Sequence, residues 1–444
     1  MKTCMRVIGP LLALLLMVCP LAWGTPPELD PGERDELYRR LKVLAEALDI
    51  VQRNYVEEVG SEDLVHGAVR GIIDQLDPHS SFLPADMFHE MQVETEGAFG
   101  GLGIEVSARE GRLLVVAPIE DTPASRAGIQ AGDVIVMIEG EPVKDLPLAE
   151  AVKRMRGPTG TQVTIHVARK GWENPREFTL IREIIHIRSV RSRVVDGVGV
   201  VRIAQFQKET HVEVRRAVQE LLDGDPLRGL VLDLRNNPGG LLDQAVKVAD
   251  VFLAEGTVVS TRGRDPEQEA VFAARDDGDE PDLPLVVLIN EGTASASEIV
   301  AGALQDHGRA LVLGQRSFGK GSVQTILPLS DGSGLRVTTA LYYTPADRSI
   351  QAKGIVPDIE VGAVAEPVLA PPKAHHGQQR EEDLDGHFET PEAGHAVAAA
   401  ETAANLAEDT QLQRAVQILK SWQLFRGTQP APARDARVER PVDP

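Results

Sequence analysis

The chain has 444 residues, enough for two to four domains at roughly 100–200 residues each. Hydrophobic residues make up 42% and charged residues 25%, an ordinary globular balance, and the 40 glycines and 29 prolines follow no period, which excludes collagen-like and repeat architectures. The net charge of −21 comes without any Lys/Arg cluster, which sets aside nucleic acid and anionic membrane surfaces as partners.

At the N-terminus Lys2 and Arg6 precede an apolar run, Val7 to Cys19, and Ala22-Trp23-Gly24 offers small residues for cleavage. That is the layout of a secretory signal peptide. Gly9 and Pro10 break the run and Pro20 ends it, short of the ~20 residues a bilayer span requires. An uncleaved anchor is the rival reading, and bulky Val18 argues against a lipid on Cys19. Both cysteines, Cys4 and Cys19, lie in this segment, so the mature chain has no cysteine for a disulfide, a nucleophile or a zinc site. It is expected to be soluble, because no later stretch holds a membrane-length apolar run.

Leu37, Leu41, Leu44, Leu48, Val51 and Tyr55 recur at helical spacing and predict one apolar helix face, either packed on its own domain or a dimer seam. Ser61, followed by Glu62 and Asp63, predicts the capped start of a second helix. From Gly97 the texture turns to short strands: Leu102–Val106, Leu113–Val116, Asp133–Ile138 and Gln162–Ala168, with short helices at Pro123–Ala127 and Leu148–Met155. Beyond Ile187 strands and helices alternate. Val198–Ile203, Gly229–Leu234 and Leu285–Ile289 read as strands, and His211–Leu222, Leu241–Leu253 and Ser295–Gln305 as helices, which argues for an α/β core. Residues 363–395 read as a Pro-, Ala- and Glu-rich linker. Leu412, Val416, Leu419 and Trp422 form one face of a closing helix, capped by Asp409 or Thr410, before a proline-rich tail with little to bury.

Three segments carry chemistry. Asp233-Leu-Arg-Asn-Asn-Pro-Gly-Gly-Leu-Leu242 follows a buried strand and opens a helix, bringing bare backbone N–H groups to a helix N-terminus suited to an anion or developing oxyanion. Asn290-Glu-Gly-Thr-Ala-Ser-Ala-Ser-Glu-Ile299 sets Thr293, Ser295 and Ser297 at another helix start, either as caps or as a nucleophile. No histidine stands ready as base. His307 is 12 residues past Ser295, ~18 Å along one helix at 1.5 Å per residue, and His375, His376, His387 and His395 fall in the linker. Ser317-Phe-Gly-Lys-Gly-Ser-Val-Gln324 offers a lysine instead. If Lys320 begins a strand, Lys320, Ser322 and Gln324 share a face; burial would favour the neutral amine, and the Gln324 amide oxygen could hold it.

Together these segments resemble the carboxyl-terminal processing (tail-specific) proteases, serine peptidases with a Ser/Lys pair. The shared pattern is the Asn-Xaa-Gly-Gly turn, the Thr/Ser-Ala-Ser-Ala-Ser-Glu helix start and Phe/Tyr-Gly-Lys-Gly with a glutamine four residues after the lysine. The resemblance implies Ser295 as nucleophile, Lys320 as general base, Gln324 as its orienting partner, and Ala296 with Gly239 or Gly240 as the oxyanion hole. Gly100-Gly-Leu-Gly-Ile104 and Pro123-Ala-Ser-Arg-Ala-Gly-Ile-Gln-Ala-Gly-Asp-Val-Ile135 resemble a bacterial PDZ domain, in which Gly101, Leu102, Gly103 and Ile104 would receive a peptide C-terminus as an added strand. Asp77-Pro-His-Ser-Ser81 also resembles the family, with His79 read as a turn residue.

The expected fold is therefore an α/β peptidase core of crotonase/Clp-like ββα units with an inserted β-rich PDZ domain and helical N- and C-terminal segments. Its expected divisions are a signal peptide (1–24), a helical segment (25–95), the PDZ domain (96–172), the peptidase core (173–362), the linker (363–395), a closing helical segment (396–427) and a tail (428–444). The implied activity is a periplasmic endopeptidase that needs no metal or cofactor and acts on proteins with apolar C-termini, with an adaptor or activating peptide and a homo-oligomer as further expectations. A non-catalytic PDZ adaptor and a crotonase-like acyl-transfer enzyme are the alternatives.

Overall fold

The computed structural model describes residues 30–109, 111–265, 269–276, 278–362, 380–384, 386–388 and 409–426. The expected signal peptide, the tail and most of the linker lie outside these residues. No helix among the described residues is long and apolar enough to cross a membrane.

The chain divides into two compact units at Ala68/Val69. The first holds helix α1 (Pro31–Asn54) and the start of α2 (Ser61–Ile73). Pairs such as Glu36–Arg40 and Asp49–Arg53, four residues apart, support α1 from its polar side, and none of its residues is buried. In α2 the Gly60 carbonyl accepts the Leu64 N–H, so Ser61 is the first helical residue rather than the cap; Glu62 and Asp63 stand in the first turn as expected.

The second unit opens with β1 (Ser81–Leu83), α3 (Ala85–Glu96) and β2 (Ala98–Gly101). A β-rich domain follows: β3 (Ile104–Arg109), β4 (Arg112–Pro118), α4 (Pro123–Arg126), β5 (Val134–Ile138), β6 (Glu141–Pro142), α5 (Leu148–Met155), β7 (Gln162–Ala168) and β8 (Arg176–Ile181). Strand β9 (Glu183–His186) then returns antiparallel to β2, so chain entry and exit form one two-stranded stem. The domain sheet runs β3-β4-β5-β7-β8, with β6 on β5. Its alternation is plain in β7, where Val163, Ile165 and Val167 are buried against Ala151 and Met155 of α5. Two expectations are corrected. The strand expected at Leu102 starts at Ile104, because the Leu102 and Gly103 carbonyls are turned to the Ala124 and Ile119 N–H groups. The sheet also runs past residue 172, since β8 pairs with β7.

The α/β part holds β10 (Val190–Val195), β11 (Val198–Ile203), α6 (Thr210–Leu222), β12 (Leu230–Asp233), α7 (Leu242–Asp250), β13 (Thr257–Gly263) and β14 (Ala270–Ala273). After these come β15 (Leu285–Ile289), α8 (Ala296–Asp306), β16 (Ala310–Gly314), β17 (Ser322–Pro328), β18 (Gly334–Tyr343), β19 (Ile359–Glu360) and α9 (Thr410–Arg426). One sheet runs β10-β11-β12-β15-β16-β19, parallel from β11 onward. A second, antiparallel sheet runs β1-β18-β13-β14, with β17 also on β18. Strands β12 and β15 are buried at every position because helices cover both faces. Leu230, Leu232, Val287 and Ile289 meet α6, α7 and α8, while Val231, Val286 and Leu288 meet α9.

Helix α9 corrects the expected face: Leu412, Ala415, Val416 and Leu419 pack on the sheet, and Trp422 is 51% exposed. Asp409 is the residue at its start that accepts a helical N–H, from Leu412 at 3.0 Å.

Candidate active site

The three chemistry-bearing segments meet at the C-terminal ends of β12 and β15, where a parallel sheet leaves its loops free to converge. After β12 the chain turns through Asn236 (φ 54°), Gly239 (φ 101°) and Gly240 (φ 140°). The two glycines are required by space as well as by angle. A Cβ on Gly239 would come within 2.8 Å of the Ser295 Cβ, and one on Gly240 within 2.1 Å of the Phe206 carbonyl. Fully buried Asn237 braces the turn: its Nδ2 donates to the Ile203 carbonyl and its Oδ1 accepts the Gly239 N–H, both at 2.9 Å.

The loop after β15 is sewn to this turn. Asn236 and Asn290 exchange hydrogen bonds of 2.8 Å each, Thr293 Oγ1 donates to the Leu234 carbonyl at 2.9 Å, and Ser297 Oγ donates to the Asn237 carbonyl at 3.0 Å. Two of the three hydroxyls in the run Thr293, Ser295, Ser297 are thus spent on backbone carbonyls. Ser295, half-buried at the N-terminus of α8, has φ 55° and ψ −117°, a conformation L-residues rarely hold. Such strain is of order 1–3 kcal/mol and persists only where its surroundings over-determine it.

What over-determines it is Glu298. Its carboxylate is wholly buried and accepts four donors: Ser295 N–H at 2.7 Å and Lys320 N–H at 2.9 Å on one oxygen, Gly319 N–H at 2.8 Å and Ser317 Oγ at 2.5 Å on the other. One side chain therefore pins the Ser295 turn to the Lys320 loop. Burial raises its pKa to about 7, against the lowering effect of the donors. Glu298 was not among the residues expected to act; its position three residues after a helix-start serine was the signal that could have found it.

Lys320 lies before β17, not in it, which corrects the expected strand alternation. The register also shifts between Val323 and Gln324, so residue parity does not set which side chains share a face. Burial, joined by the nearby Arg336 charge, lowers the Lys320 pKa, while Glu381, Glu298 and Asp77 oppose that shift. Lys320 Nζ makes no hydrogen bond among the described residues. The expected bond from Gln324 is accordingly not made in this arrangement: its Nε2 donates to Thr338 Oγ1 at 2.9 Å and Ser322 Oγ at 3.3 Å, and its Oε1 is buried without a partner.

Asp77 accepts the His79 and Ser80 N–H groups and the Ser80 and Thr338 hydroxyls, so the segment is a turn against β18. His307 ends α8, bonded to the Thr257 carbonyl at 2.7 Å. No cluster of three or more His, Cys, Asp or Glu able to hold a metal occurs among the described residues. In the β-rich domain, β3 has β4 as its only partner among the described strands, leaving its other edge unpaired, and Gly101, Leu102 and Gly103 lead into that edge.

Comparison with known proteins matches residues 197–361 to peptidase family S41, residues 114–169 to a PDZ domain and residues 28–87 to the N-terminal domain of the activating protease CtpB. A carboxy-terminal-processing protease of Bartonella bacilliformis is 45% identical over 354 residues, covering 79% of this chain and 81% of that one. A carboxyl-terminal-processing protease of Synechocystis sp. is 39% identical over 318 residues, covering 70% and 74%. Among solved structures, the photosystem II D1 C-terminal processing protease is similar at 32% identity and a TM-score of 0.43, covering 72% of this chain and 92% of that one. With its α/β core, its PDZ domain and a serine held at a strained helix start, the chain belongs to the carboxy-terminal-processing serine proteases of peptidase family S41.

Proposed function

We propose that the protein is a secreted endopeptidase that captures apolar substrate C-termini in its PDZ domain and cleaves through Ser295 and Lys320, by way of an acyl-enzyme. The observation that carries this reading is the Glu298 carboxylate, which binds the Ser295 and Lys320 backbone N–H groups on one oxygen. A carboxylate accepting four donors in the interior is costly unless it organises something, and what it organises is the junction of these two segments.

In the proposed cycle neutral Lys320 takes the proton from Ser295 Oγ as that oxygen bonds to the scissile carbonyl carbon. The oxyanion is received by backbone N–H groups of Ala296 and Gly240, because the Gly239 N–H is already donated to Asn237 Oδ1. The tetrahedral centre collapses, the C–N bond breaks, and the lysine ammonium passes its proton to the leaving amine. Water then attacks the ester carbonyl carbon and gives a proton to the neutral lysine; as this second tetrahedral centre collapses the acyl C–Oγ bond breaks, and the lysine ammonium returns the proton to Ser295 Oγ. Lowering of the Lys320 pKa by burial favours the neutral amine this cycle needs. Gln324 Oε1, buried without a partner, is the acceptor that would hold the lysine once peptide binding draws the two together. The free edge of β3 suits strand addition by a substrate tail or an activating peptide.

The test compares mature wild type with Ser295→Ala and Lys320→Ala on an unstructured polypeptide ending in apolar residues, with cut sites read by mass spectrometry and tail binding measured in parallel. Cleavage lost in both variants by 10³-fold or more, on the scale of removing a nucleophile or base, with tail binding kept, supports the reading. Cleavage by Ser295→Ala overturns the nucleophile, and binding without cleavage by wild type favours the adaptor.

A further inference from the structure

Residues 380–384 and 386–388 fall inside the segment expected to be a solvated linker, beyond the S41 match that ends at 361. Of these, Arg380, Glu381 and Glu382 are instead seated on the active-site loops. Arg380 and Glu381 are buried, and Glu381 opens a single 3-10 turn, Glu381–Asp383. The Glu381 carboxylate, 0% exposed, accepts from Gln351 Nε2 at 2.7 Å and bonds His79 Nε2 at 2.5 Å. Gln351, also fully buried, turns its other amide atom to the Gly321 N–H at 2.9 Å. A relay of two side chains thus runs from Glu381 to the residue following Lys320. On the opposite side of the loop the Glu381 N–H approaches the Phe318 carbonyl at 3.4 Å, and Glu382 pairs with Arg316. Arg380 reaches Glu291, in the loop that leads to Ser295, at 3.4 Å.

A chain that merely passes from the core to α9 has no reason to bury a carboxylate, which costs several kcal/mol unless its oxygens are fully served. Here they are served by groups tied to the Gly319–Gly321 loop and to the Asp77-Pro-His-Ser turn. We infer that Glu381 is a positioning residue of this protease, and that the turn bearing it fastens the lysine loop from outside the S41 segment. The inference rests on the reading of Lys320 as general base. It differs from the role of Glu298, which holds Gly319 and Lys320 to the serine turn; Glu381 holds Phe318 and Gly321, the flanks of the same loop.

Glu381 also acts on Lys320 by charge. The groups facing Lys320 are Arg336, Glu381, Glu298 and Asp77, and the anions among them favour its ammonium form. Around Glu381 itself stand His79 and the pairs Arg380–Glu291 and Arg316–Glu382. Loss of the Glu381 charge therefore moves the acid limb of the rate profile to lower pH, an effect that general destabilisation would not produce.

The experiment uses the mature full-length protein with casein as an unfolded substrate. Wild type, Glu381→Ala, Glu381→Gln and Lys320→Ala are compared for kcat, KM, apolar-tail binding, thermal midpoint and pH profile. Glu381→Ala is expected to lower kcat about 10- to 100-fold, the cost of a misplacement of about 1 Å, with KM and tail affinity within about twofold of wild type. Glu381→Gln keeps the shape but faces one donor with its own NH₂, so it should retain more kcat than the alanine variant, with its acid limb displaced to lower pH. Wild-type kcat in Glu381→Ala overturns the inference, as does a loss of kcat shared with tail binding and thermal midpoint. Cleavage by Lys320→Ala within 10³-fold of wild type overturns the Ser/Lys reading instead, so the two failures are told apart.

Discussion

At the scale of single residues, two buried groups of the proposed site are shifted in opposite directions by the same cause. Burial disfavours charge, which lowers the Lys320 pKa and raises that of Glu298 to about 7. The proposed base must be neutral, so activity is lost as pH falls through the lowered lysine pKa, below its ordinary value of 10.5. Glu298 must be ionised to accept four donors, so protonation below about 7 loosens the loop that holds the lysine. Both losses lie on the acid side, and kcat/KM measured from pH ~5 to ~10 should fall there more steeply than one decade per unit. A slope of one decade or less would show that Glu298 stays charged or is not needed. The lysine shift has a stability counterpart: the folded state binds its proton more weakly than the unfolded chain, so this contribution is present above pH 10.5 and is lost as pH falls through the folded pKa.

At the scale of elements, the most legible parts were those whose pattern is local. The apolar runs of β12 and β15 and the short helices α4 and α5 stand within a few residues of their expected limits. Helix α8 was found by its small residues although it has no polar face, since every position from Ala296 to Leu304 is buried. The strand at Lys320 failed because a non-local partner sets the pairing: β18 fixes where β17 begins and where its register shifts. Trp422 failed for the same kind of reason. Ala415 was small enough to be overlooked, yet it completes the packed stripe of α9, while the tryptophan lies beyond the sheet's reach. Helix α9 is also held by charge. Arg235, from the glycine turn, bonds Asp233 at 2.8–2.9 Å and Asp409 at 2.8–2.9 Å, and these partners outweigh the cost of its burial and keep its pKa raised. Arg235→Ala leaves two carboxylates facing each other and should destabilise the core by about 3–5 kcal/mol, read from denaturant unfolding. A loss under about 1 kcal/mol, the range of an exposed pair, would mean that α9 is held by Leu412, Ala415, Val416 and Leu419 alone.

At the scale of the whole molecule, α1 keeps the apolar spacing expected of it, and Leu37, Leu41, Leu44, Val51 and Tyr55 are all exposed in the unit that carries them. A dimer seam with a second copy of this chain, one of the two readings the spacing offered, can be tested on that face. Leu41→Glu with Leu44→Glu should convert a wild-type oligomer to monomer by light scattering on a sizing column; an unchanged mass in the double variant, or a monomeric wild type, would remove α1 as the seam.

By itself the sequence determined the family and the order of its segments and named the candidates for the reacting side chains, because glycine turns, helix starts and a glycine-framed lysine are local signatures of backbone that must bend sharply or approach closely. Tertiary structure alone decided how these pieces meet. Glu298 pins the two loops together, Gln324 has its amide oxygen buried without a partner, and Glu381 reaches back from what composition had marked as linker. Those contacts join residues up to 302 positions apart. Nothing in a local pattern records which distant donor a buried carboxylate will find; folding selects it, because in the interior every such charge must be answered.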